Sequence, residues 1–315
     1  LAAENYPQAV QLVEKVALPM ILQASVRTVE RWLQAIPHEY IEKSPGINMA
    51  YSWMNLLRGS FAQAIPFIER LKVIFSAPEA EKLAPSLQGE WLAIQSELLI
   101  AQGKPEESRD LARQALKLLP EVDAHVRSML YVTLAKAFQL TFDYDHAAEV
   151  FQMIVQDARI KGDMTFEILG ASGLAQMLLK QGKLHRTYEI AMEGIRRVET
   201  SGKNIPFSAT LFGELGQIYY HWRQLDQARA YLQRSMETSG KSGYSDPEIY
   251  YYIMLSKIYQ MEGNLEASAR EMQKASDLIF KHRMVVHFAV DPTVYYDPAW
   301  LIPAHDESVA RQATR

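Results

Sequence analysis

The residues that could do chemistry come first. Eight histidines are scattered along the chain: His38, His125, His146, His185, His221, His282, His287 and His305. A zinc-binding helix needs two of them four residues apart with a glutamate on the same face. No pair has that spacing, so they read as surface or half-buried side chains. Gly240-Lys241-Ser242 has the ending of a phosphate-cradling loop, but Ser235 stands where the first glycine should be. A helical pattern, not a strand, precedes it, so the stretch reads as a connection between helices. Ser172, between Gly170-Ala171 and Gly173, lacks the spacing of a nucleophile elbow and suits close helix packing instead. The carboxylates Glu79/Glu81 and Glu106-Glu107 fall near helix starts, where they favour the helix dipole. The chain has no cysteine, which removes disulfides, thiolate-bound zinc and thiol catalysis. No convergent set of acid, base, nucleophile or metal ligand emerges. The chain reads as non-catalytic, with no cofactor or metal of its own.

What the sequence does carry is a repeat. A turn residue is followed by an apolar residue two later, a small one five later and an apolar one nine later. Such turns fall at Glu4, Gly59, Gly103, Phe142, Gly182, Arg223 and Gly263, and the last four spacings are 39, 40, 41 and 40 residues. Seven residues before each turn from the second onward sits a small residue: Ser52, Ser96, Ala135, Ala175, Gly216 and Ser256. Offsets of three and four residues connect these to further apolar positions, as on one face of an α-helix. Each unit is therefore a first helix, a tight turn and a second helix. The wide first gap holds an extra helix at roughly Ser25 to Ala35. Segments rich in Gly, Pro, Ser and Asn separate the units, and Pro206 and Pro247 suit the first turn of the helix that follows. A helical hairpin cannot bury its apolar stripe alone, so neighbours must stack. The expected fold is all-α: a right-handed superhelix of stacked antiparallel helix hairpins, a tetratricopeptide-like solenoid over residues 1–281. Residues 282–315, broken by Asp291-Pro292, Asp297-Pro298 and Ile302-Pro303, are expected to form an irregular tail. Such a stack also accounts for 315 residues, a length at which single compact cores stop growing.

In a stack of this kind the first helices line the concave side. The position six before each turn holds Trp53, Glu97, Lys136, Gln176, Gln217 and Lys257. The position three before gives Gln139, Tyr220 and Gln260 among others, with His221 and Tyr250 nearby. This column of aromatic, amide and charged groups is the candidate site. Aromatic faces would stack on a small polar inducer or an extended peptide, while amides and ammonium groups would supply directional bonds. A merely solvated helix face would have similar composition. The formal net charge of -4 argues against direct nucleic-acid binding. No apolar run reaches the ~20 residues of a membrane helix. With no secretory leader visible and Leu1 inside a helical pattern, a piece of a longer cytoplasmic protein is expected.

The opening stretch is more specific. Tyr6-Pro7-Gln8-Ala9-Val10-Gln11-Leu12-Val13-Glu14 is followed by Trp32-Leu33-Gln34-Ala35-Ile36-Pro37-His38-Glu39, then Ser44-Pro45 and Ala50-Tyr51-Ser52-Trp53. Together with the later turns this resembles the helical-repeat region of MalT-type activators, ATP-dependent transcription regulators of the LuxR family. The resemblance covers roughly residues 4–280; the tail after Phe280 departs from it. It implies a sensor and interaction region that binds an inducer or partner protein in its groove and controls self-association of the parent. ATP would belong to an NTPase module, and DNA to a C-terminal helix-turn-helix, neither of which lies in this stretch. The alternative is a stand-alone scaffold that holds a peptide segment of another protein.

Overall fold

The computed structural model describes residues 5–22, 25–58, 60–121, 124–203, 205, 207–239 and 246–282. Among them are fifteen α-helices, one short 310 helix (Pro78–Lys82) and no strand. The chain opens with α1 (Tyr6–Leu22), α2 (Val26–Gln34) and α3 (His38–Lys43). Six hairpins follow: α4 (Pro45–Leu57) with α5 (Phe61–Ser76), α6 (Pro85–Ala101) with α7 (Pro105–Leu118), and α8 (Ala124–Leu140) with α9 (Tyr144–Lys161). The rest are α10 (Met164–Lys180) with α11 (Leu184–Ser201), α12 (Ser208–His221) with α13 (Leu225–Ser239), and α14 (Asp246–Met261) with α15 (Leu265–His282). The extra helix expected near Ser25 is α2. The greater part of the expected tail, including His287 and His305, lies outside the described residues, as do Pro206 and Gly240-Lys241-Ser242.

The repeated turn has one geometry. Gly103, Phe142, Gly182, Arg223 and Gly263 all adopt positive φ, between 59° and 77°. The next residue's amide then bonds back to the carbonyl five earlier: Lys104 to Leu99, Asp143 to Phe138, Lys183 to Leu178, Gln224 to Tyr219 and Asn264 to Tyr259, each at 2.9 Å. This left-handed cap satisfies carbonyls that a helix end would leave bare. Glycine takes that conformation freely; Phe142 and Arg223 take it at a steric cost.

The small residues explain why the hairpins close so tightly. Ser96 on α6 meets Ser108 on α7: the Ser96 hydroxyl donates to the Ser108 carbonyl at 2.9 Å, and the Ser108 hydroxyl returns one at 2.8 Å. The equivalent residues Ala135, Ala147, Ala175, Thr187 and Ala228 are fully buried. At Gly216 a Cβ would lie 2.6 Å from Leu232 Cγ, so only the bare backbone permits that crossing. Ser172 does what its position suggests: its hydroxyl donates to the carbonyls of Ile168 (2.8 Å) and Phe207 (3.0 Å). Apolar clusters then continue from hairpin to hairpin, the largest running from Leu18 to Leu178. The core is therefore a seam along the stack, as one-dimensional assembly requires.

Candidate functional site

The first helices α4, α6, α8, α10, α12 and α14 pack side by side in chain order. Each seam between neighbours brings a residue of one helix against a residue one repeat later on the next. Hydrogen bonds tie three of these five seams, and a buried carboxylate sits in a fourth.

Between α4 and α6, the Trp53 indole Nε1 donates to Glu90 Oε1 at 3.0 Å. Trp53 itself is only 1% exposed, packed with Leu18 and Leu22 of α1. The expectation of an open groove-facing Trp53 therefore meets a correction: α1 packs on α4 over this first unit and removes the indole from solvent. Between α6 and α8, Glu97 accepts from Thr133 Oγ1 at 2.8 Å and from Lys136 Nζ at 2.6 Å. Glu97 is likewise buried, at 5% exposure, rather than open. A buried carboxylate persists when a cation and a hydrogen bond compensate for lost water.

Between α10 and α12 the compensation is incomplete. Glu214 is 5% exposed, and its Oε2 has no hydrogen-bond partner. Burial pushes its carboxyl from 4.5 up to about 7, against the opposing pull of the Lys180 charge and a hydrogen bond from Gln176. Sequence reasoning identified Gln176 here but missed Glu214 and Lys180. Between α12 and α14, the Tyr250 hydroxyl donates to Gln217 Oε1. Further along, His221 keeps solvent-exposed area, yet atoms crowding its ring push its pKa below 6.5, and the charge of Lys257 adds to this. Tyr220 packs its ring edge-on against His221, 5.7 Å between centroids.

The sequence column is thus brought together in pairs: Glu97 with Lys136, Gln217 with Tyr250, and His221 with Tyr220 and Lys257. Gln139 is half-buried on α8 and Gln260 exposed on α14. No group of three or more His, Asp or Glu side chains with metal-holding geometry occurs among the described residues. Of the remaining histidines, His146 pairs with the helix-capping Asp143 at 2.7 Å and His38 with Glu42 at 3.3 Å. Among the described residues no helix is long and apolar enough to cross a membrane.

Comparison with known proteins places this architecture. The family model described as the MalT-like TPR region matches residues 89–311. That match begins after the opening stretch and runs through most of the segment set apart above as a tail. The regulator MalT of Serratia proteamaculans is 21% identical over 280 residues, covering 89% of this chain and 31% of that protein. MalT of Yersinia enterocolitica is 22% identical over 253 residues, covering 79% and 28%. The chain spans about a third of the length of these relatives. Among solved structures, a Rap protein complexed with Competence and Sporulation Factor superposes with a TM-score of 0.68 at 9% identity, over 88% of this chain and 78% of that one. NprR in complex with its cognate peptide NprX gives 0.63 at 14% identity, over 93% and 89%. These similarities show the same fold: stacked helical hairpins in a superhelix. The chain belongs to the MalT-like TPR region family, the helical-repeat segment of transcription regulators of the MalT kind.

Proposed function

We propose that this chain is the non-catalytic sensor and interaction segment of a MalT-like transcription regulator, acting in the cytoplasm. It binds an inducer or a partner protein along its row of first helices, and binding controls self-association of the parent. The observation that carries this reading is the polar pairing across the seams. Glu97–Lys136 and Gln217–Tyr250 each join two repeats, and Glu214 is buried between α10 and α12. A ligand that competes for these groups changes how neighbouring hairpins sit, and a ligand with different affinity for two arrangements shifts their populations. The segment holds no cofactor; ATP and DNA belong to other modules of the parent.

The alternative is a stand-alone scaffold holding a peptide. It draws support from the titles of two similarly folded proteins, one complexed with Competence and Sporulation Factor and one with its cognate peptide. One experiment tests the shared core of both readings. A random peptide library is selected on the immobilised chain, and enriched peptides are measured against Gln217→Ala combined with Lys257→Ala. Binding weakened about tenfold by the double variant supports the groove. No enrichment, or enrichment indifferent to the double variant, defeats the peptide form of it. Sedimentation of the parent with and without ligand then separates the readings, since only the regulator must change its association state.

A further inference from the structure

Buried carboxylates occupy two of the inter-repeat seams described above, and they are compensated unequally. Between α6 and α8, Glu97 receives a hydroxyl and an ammonium, from Thr133 Oγ1 at 2.8 Å and Lys136 Nζ at 2.6 Å. Between α10 and α12, Glu214 is 5% exposed and its Oε2 has no hydrogen-bond partner among the described residues. An ionised carboxylate there has lost water from one oxygen without a replacement donor. The neutral acid fits the same place at a lower cost, because it carries no charge to desolvate.

The contacts around this seam leave one side of it free to respond. The first half of α12 packs closely on α11: a Cβ at Gly194 would lie 2.6 Å from Leu211 Cδ1. Further along, Tyr188 of α11 meets Tyr219 of α12 edge-on, 6.2 Å between centroids. Just ahead of α12, the Phe207 carbonyl accepts from the Ser172 hydroxyl of α10 at 3.0 Å. None of these contacts needs a group that ionises near neutrality. Glu214 does ionise there, since burial pushes its carboxyl up to about 7.

The other charged and titratable groups around α12 are engaged as follows. On α10, Lys180 acts on Glu214 and favours its ionised form, whereas Glu167 is held by Arg159 and Arg197. On α13, Arg234 lies over Phe212 and bonds Glu199 of α11. On α14, Tyr250 bonds Gln217, and the charge of Lys257 acts on His221. His221 shares α12 with Glu214, but its pKa is pushed below 6.5.

We propose that the α10–α12 seam is a proton-operated joint of the superhelix: with Glu214 neutral the seam is closed, and with Glu214 ionised α12 tilts from α10 about its packing on α11 and lets water reach the carboxylate. The closed form therefore prevails at acid pH and gives way as pH rises through neutrality. The joint divides the stack into a block ending at α11 and a block from α12 to α15, and Gln176 and Gln217 lie on opposite sides of it. The inference does not rest on the groove binding any ligand.

Hydrogen exchange read by mass spectrometry on the whole chain tests it, with rates converted to protection factors so that the intrinsic pH dependence cancels. Protection of α12 is expected to fall about tenfold or more from pH 5 to pH 8, without a matching loss in α6 and α8. Glu214→Gln, which cannot ionise, is expected to abolish that fall. No fall in α12, or an equal fall in every helix, overturns the proposal, because ionisation then opens no local joint. A fall that persists in folded Glu214→Gln assigns the effect to another group, such as His221, and overturns it too. The comparison of α12 with α6 and α8 uses the unsubstituted chain, so it decides even if the variant fails to fold.

Discussion

Replacing Glu214 by glutamine asks what a buried acid without full compensation does to this stack. In the folded chain its carboxyl sits at about 7 instead of 4.5, chiefly because burial penalises the charge. The folded state therefore holds the proton more tightly than the unfolded state does. Below pH 4.5 both states are protonated and the shift contributes nothing. As pH rises from 4.5 to 7 the unfolded carboxyl ionises first, so stability falls. Above 7 the penalty is constant, at roughly 3 kcal/mol. Glutamine keeps the shape and cannot ionise. Glu214→Gln should thus gain on the parent as pH rises, by about 2 kcal/mol between pH 5 and pH 8. Urea denaturation of both proteins at the two pH values measures this, and every other titrating group common to both cancels in the difference. A gap between the two proteins that is the same at pH 5 and pH 8 would refute the claim that Glu214 is buried with its charge poorly compensated.

Three further outcomes follow from the same packing. Phe142→Gly and Arg223→Gly relieve positive φ at a non-glycine turn residue and should each stabilise by about 1 kcal/mol, while Gly103→Ala at the matching turn costs about as much; thermal melts check the opposite signs. Gly216→Val drives a side chain into Leu232 and should destabilise by about 2 kcal/mol or more, seen as a lower urea midpoint at unchanged slope. Glu97→Gln removes the charge that faces Lys136 while leaving Thr133 an acceptor, and should cost about 1–2 kcal/mol; adding Lys136→Met should give a loss smaller than the sum of the two singles if the pair is coupled.

The repeat was legible because its signal recurs. The turn residue, the small residue seven earlier and the small residue five later are demanded by one backbone geometry, and that geometry recurs in the five hairpins from α6–α7 to α14–α15. Ser96 and Ser108, or Gly216 and Ala228, can be paired from spacing alone. The candidate site was only half legible. The position six before each turn was treated as one environment, but α1 covers Trp53 and Thr133 with Lys136 buries Glu97. Those covers come from other elements and leave no trace in the local pattern. Glu214 shows the same limit more sharply. Nine before the other turns stand Ala50, Ile94, Thr133, Gly173 and Met254, so nothing repeated marks a carboxyl there. Its burial comes from packing across the α10–α12 seam, where Lys180 and Gln176 partly offset the cost, and that packing appears only once the hairpins are stacked.

The central claim is that ligands are read along the first helices. A selected peptide carrying a photoreactive group, cross-linked to the chain and mapped by mass spectrometry, tests it most directly. Cross-links concentrated on α8, α10, α12 and α14, and suppressed by unlabelled peptide, are the expected result. Cross-links concentrated on the second helices α9, α11, α13 and α15 would contradict it.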